Sequence, residues 1–140
     1  MIKKSQLLLV TISLNWILLG CFNSKINQCN KIINISTELA QITEPNLEID
    51  EPNQILEIAN SFDDSAQAIL NQKISDEQLS LYSQDLANIY QNYAQLTRNF
   101  VTAFQNKDTE NAIFYKEELF NLSQNQKNLV NTINTYCQEN

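Results

Sequence analysis

The sequence predicts an all-α fold, an antiparallel up-down-up-down four-helix bundle ending in a long C-terminal helical hairpin. Three observations predict it. First, Leu79, Tyr82, Leu86, Ile89, Tyr93, Leu96 and Phe100 recur three and four residues apart, with Phe104 four further on, which places one apolar stripe along a long helix. Second, the 140 residues contain one glycine, Gly20, and two prolines, Pro45 and Pro52, too few for the tight turns of a sheet protein. Third, three further segments carry apolar residues at helical spacing and supply the surface such a stripe must be buried against.

The chain begins with a basic pair, Lys3 and Lys4, followed by the apolar run Leu7 to Leu19. That run is short for a membrane span and is followed at once by polar sequence, so residues 1–20 read as a signal peptide. It closes on Leu18-Leu19-Gly20-Cys21, which resembles the lipobox of bacterial lipoproteins. The resemblance implies cleavage before Cys21, a thioether-linked diacylglycerol on its sulfur, and an acyl group such as palmitate on its amine. Several acyl chains make a durable anchor where one does not. An uncleaved anchor and ordinary signal cleavage are the alternatives. The implied location is a bacterial cell membrane, anchored by lipid on the exoplasmic (periplasmic or lumenal) face. Residues 21–25 are then a short tether, and 26–140 a helical bundle domain.

Within that domain, Cys29, Ile32, Ile35 or Ser36, Leu39 and Ile42 predict a first helix that stops before Glu44-Pro45. Pro45 to Asp50 reads as a loop, with Asp50 capping a second helix whose first turn holds Glu51 and Pro52. That helix carries Ile55, Ala59, Phe62, Ala66 and Ile69, and its small residues allow close approach of a neighbour. Ser75 with Gln78 three residues on predicts a capping box at the start of the third helix. The run Asn106-Lys107-Asp108-Thr109 marks a tight reversal, with Asp108 or Thr109 capping a fourth helix. Its stripe is Tyr115, Leu119, Leu122, Gln126, Leu129, Ile133 and Tyr136, of which Gln126 alone is polar. The third and fourth helices are expected to exceed the first two by roughly ten residues, so part of the hairpin projects beyond the bundle or is covered by a partner.

Apart from Cys21, the cysteines are Cys29 and Cys137. In an exported protein they are candidates for a disulfide, and an up-down-up-down bundle brings both chain ends to one end of the fold. Two free thiols in a reducing compartment is the alternative.

Composition removes most chemistry. With no histidine there is no Ser-His-Asp triad, Cys-His pair or histidine-held zinc or di-iron site. Without glycine beyond the leader there is no phosphate loop or dinucleotide fingerprint. The formal charge of −7 becomes −9 when the leader's two lysines are set aside, an acidic balance that disfavours nucleic acid. Carboxylates remain: Asp63-Asp64 and Glu117-Glu118 could in principle converge on a hard cation, although solvated helix faces account for them, as capping accounts for Glu48, Asp50 and Glu51. No cofactor is implied. The abundant Asn and Gln are interleaved with apolar residues and read as uncharged surface, and the sequons at Asn34 and Asn121 fall inside expected helices.

The start Lys25-Ile26-Asn27-Gln28-Cys29-Asn30 and the ending Asn134-Thr135-Tyr136-Cys137 loosely resemble small helical proteins of cyanobacteria, a resemblance that supplies no activity. The functional expectation is therefore a non-catalytic, lipid-anchored accessory or scaffolding protein acting through helix-mediated contacts with a protein partner. Tyr90, Phe114 and Phe120, off the main stripes, are the expected contact residues. The alternative is a binding module for a small apolar ligand between the helices.

Overall fold

The computed structural model describes residues 25–43 and 52–139. The leader, Cys21, the loop at 45–50 and its cap at Asp50 lie outside the described residues, as do Glu48 and Glu51. Four helices account for almost all of what is described: α1 at 25–42, α2 at Pro52–Leu70, α3 at Glu77–Gln105 and α4 at Thr109–Gln138. At 29 and 30 residues, α3 and α4 run roughly 44 Å, against roughly 28 Å for the 19-residue α2. The length difference expected from the sequence is present.

The directions of the helices follow from what their ends touch. Gln28 on α1 accepts from the backbone N–H groups of Ser75 (2.6 Å) and Asp76 (3.1 Å) at the start of α3. Beside it, Cys29 lies against Cys137 at the end of α4. Further along α1, the Tyr90 hydroxyl of α3 donates to Ser36 Oγ at 3.2 Å. Thus α1 and α3 run one way and α2 and α4 the other. The α3 helix packs against both α2 and α4, which have no close backbone approach to each other. This is the antiparallel up-down-up-down bundle.

The core is built from Ile32, Leu39, Ile69, Leu79, Leu86 and Ile133, all buried, with Tyr90 among them. Small residues carry the close approach of α2 to α3: Ala59 and Ala66 on one helix and Ala87 and Ala94 on the other are fully buried. The expected stripe on α3 is shifted by about one position. Fully buried are Leu79, Ser83, Leu86, Tyr90, Ala94, Thr97 and Val101, whereas Tyr82, Ile89, Tyr93, Leu96 and Phe100 flank them half-buried. The reason is that α3 is covered on several sides at once. Small residues pointing at neighbouring helix axes vanish, and the large ones beside them keep an edge in solvent. Phe104, expected to end the stripe, is exposed and stacks on Phe100, 6.2 Å between ring centroids.

Capping was legible to within a residue. Asp76, not Ser75, is the N-cap of α3: its carboxylate accepts from Leu79 N–H at 2.8 Å. Ser75 instead presents its N–H to Gln28, and this long-range partner, invisible in local spacing, displaces the expected box. At the hairpin, Asp108 caps α4 as expected, accepting from the Asn111 backbone at 3.2 Å and from its side chain at 2.7 Å. Those two bonds hold the Asp108 carboxyl below its ordinary range. The end of α3 is a Schellman cap, with Lys107 N–H donating to Phe104 O and Asp108 N–H to Ala103 O. Lys107 has φ 58°, the left-handed position that glycine usually fills, at a cost of roughly 1 kcal/mol for a side chain with a Cβ.

Candidate functional site

At one end of the bundle the two chain ends are tied together. Cys29 is buried, and its Sγ lies at disulfide-bonding distance from that of Cys137, with the Cα atoms 6.0 Å apart and a sequence separation of 108. Around this pair, Lys25 places its ammonium 3.9 Å above the Tyr136 ring and donates to the Glu139 carbonyl at 3.1 Å. Tyr136 donates its hydroxyl to the Asp76 carboxylate at 2.9 Å and meets Tyr82 edge-on. Burial and the Asp76 bond together push its hydroxyl above the ordinary tyrosine range. The start of α1, the start of α3 and the end of α4 are thus locked into one unit at the end from which the expected tether would leave.

The centre of the fold holds a polar group that sequence spacing did not reveal. Tyr90 is 1% exposed. Its hydroxyl lies against Ser36 of α1 and Gln126 of α4, and its ring meets Phe62 of α2 at 5.7 Å, so one side chain touches all three other helices. The expectation that Tyr90 lies on a partner surface is therefore corrected: it is a core residue, placed there because the buried face of α3 is rotated toward α1. Gln126, the polar member of the α4 stripe, was the available signal, since a buried amide needs a polar partner across the interface. Tyr93, stacked on Phe62 at 4.7 Å, is pushed up to about 12 by burial, by the neighbouring Tyr90 hydroxyl and against a bond from Ser123.

These two tyrosines set an alkaline limit. Each holds its proton more tightly folded than unfolded, where the group titrates near 10.0. Their contribution to stability is complete below pH 10 and is lost as the pH rises through 10 toward about 12. Urea midpoints followed by circular dichroism should fall across that window, and fall less steeply in Tyr93→Phe. Equal falls in both proteins would contradict the assignment.

The carboxylates do not gather. Asp63 pairs with Arg98 at 2.7 Å, and Asn60 accepts from the same guanidinium at 2.8 Å. Among the described residues no three His, Cys, Asp or Glu side chains are grouped so as to hold a metal ion. No described helix is long and apolar enough to cross a membrane.

Apolar surface is also exposed among the described residues. Between α1 and α4 an open groove of about 280 Å³ is lined by Ile32, Ile33, Ala40, Val130 and Ile133. Along the half of the hairpin away from the cysteine pair, Ile113 is 54% exposed, Phe114 52% and Phe120 65%. Ile113 and Phe120 are seven residues apart and share the outer face of α4, while Phe114 is turned about 100° from Ile113. Phe114 and Phe120 thus stand exposed, as expected of contact residues, but on different faces. Set beside known protein families, curated proteins and solved structures, the chain matches none of them.

Proposed function

We propose that the chain is a non-catalytic lipoprotein, held by diacylglycerol on Cys21 at the exoplasmic face of a bacterial membrane, that acts as an accessory or scaffolding subunit through contacts of its α4 helix with a protein partner. The observation that carries this reading is the placement of exposed apolar residues. Ile113 and Phe120 stand more than half exposed on a helix face that nothing in the described chain covers. They lie roughly 25 to 36 Å along α4 from Cys137. A tether leaving at the cysteine end directs that end to the bilayer and carries the apolar face outward. An oxidising exoplasmic compartment also suits a disulfide between Cys29 and Cys137. The small-ligand reading would rest on the apolar groove between α1 and α4, which is open to solvent and not an enclosed cavity.

The test is isolation of tagged protein from native membranes in two forms, wild type and Ile113→Ser/Phe120→Ser. A protein retained in equal amount by wild type and lost from the variant, with helix content unchanged, is the expected result. The same set of proteins retained by both would overturn the reading.

A further inference from the structure

A second face of the hairpin carries different chemistry. Asn92, Gln95 and Asn99 stand at i, i+3 and i+7 on α3, and Asn121 and Asn125 at i and i+4 on α4, so the two rows face each other across an open groove of about 320 Å³. Leu96 and Leu122 lie half-buried between them, and Glu118 is the one ionised group in the lining. Among the described residues none of these five side-chain amides is hydrogen-bonded to another protein group. Phe114, four residues before Glu118 and seven before Asn121, continues the α4 row one turn beyond the groove's lining; its ring is 52% exposed and edge-on to Tyr115 at 5.4 Å.

Each carboxamide offers two donors and an acceptor without charge. Five of them side by side suit a ligand with closely spaced neutral donors and acceptors. An anion would find no cation in the lining, and a hard cation would find one carboxylate where it needs several. A partner helix would need apolar anchors at the centre of the groove, where two half-buried leucines are all there is. A chain of pyranose rings meets the requirement: hydroxyl and acetamido groups along its edges, and an apolar C–H face that packs on an aromatic ring.

We propose that this groove binds a neutral saccharide chain, its hydroxyl or acetamido groups bonded by the carboxamides of α3 and α4 and one sugar ring stacked on Phe114. The proposal does not depend on the lipid anchor or on the Ile113 and Phe120 contact. The test is a titration of the full chain in detergent micelles with the tetramers of N-acetylglucosamine and of glucose, followed by nuclear magnetic resonance of the side-chain amide signals. Saturable shifts of the Asn92, Asn99, Asn121 and Asn125 amides with either tetramer are expected, with binding weakened about ten-fold by Phe114→Ala and unchanged by Leu81→Ala, at an exposed position of α3 outside the groove. The tetramer that binds distinguishes an acetamido-bearing ligand from a purely hydroxylated one. Absence of saturable shifts with both tetramers, or binding that survives Phe114→Ala unweakened, overturns it.

Discussion

Replacing both Cys29 and Cys137 by alanine should lower the free energy of unfolding by about 4 to 5 kcal/mol, the loop-closure entropy of a crosslink spanning about a hundred residues. In a domain of this size that corresponds to a fall in Tm of roughly 15 to 20 °C. The cysteines bring α1 against α4 at the end of the bundle where one begins and the other finishes, at a sequence separation of 108. With the bridge in place the unfolded chain is a closed loop; without it the two ends separate freely, and that is where most of the effect arises. Alanine at both positions avoids leaving an odd thiol, and reduced wild type should approach the variant to within about 1 kcal/mol, the packing of two small side chains. Denaturant titrations of the oxidised, reduced and substituted proteins check this. Equal stability of oxidised and reduced wild type would remove the bridge from the account.

The second large effect belongs to Tyr90. Tyr90→Ala should cost about 3 to 5 kcal/mol, because it empties a site enclosed by α1, α2 and α4 and strips Ser36 and Gln126 of a shared partner. Tyr90→Phe keeps the ring and removes the hydroxyl, so its cost is about 1 to 3 kcal/mol, the range for leaving buried polar groups unpaired. Phe120→Ala, at an exposed position, should stay within about 0.5 kcal/mol of wild type. A surface location for Tyr90 would make its alanine variant as mild as that of Phe120, so urea denaturation of the three variants separates the two placements.

Helix number, order and approximate ends could be read from the chain because each rests on local spacing: the stripe of α4, the small residues of α2 and the Asp108 reversal depend on neighbours within a turn or two. The approach of Cys29 to Cys137 was legible because an up-down-up-down topology brings the start of α1 and the end of α4 together. What could not be read depends on residues far apart in sequence. The capping role expected of Ser75 falls to Asp76, while Ser75 donates its N–H to Gln28, forty-seven positions away. Tyr90 passed from the surface to the core because α1, α2 and α4 converge on α3 and widen its buried arc, which no single-helix periodicity encodes. Phe104 went the other way: it is exposed beside Pro52 at the start of α2, although it ends the apolar spacing of α3. The amide rows were visible as composition, yet only the packing of α3 on α4 turns them into a groove.

One measurement reads both the lipid anchor proposed at Cys21 and the bridge between Cys29 and Cys137. Protein extracted from native membranes, treated with an alkylating reagent without prior reduction, can be weighed intact by mass spectrometry. The predicted mass is that of residues 21–140 with a diacylglyceryl group on Cys21, with or without an acyl group on its amine, and with no alkyl group added at Cys29 or Cys137. A chain still beginning at Met1, a processed chain carrying no lipid, or alkylation of both remaining cysteines would contradict it.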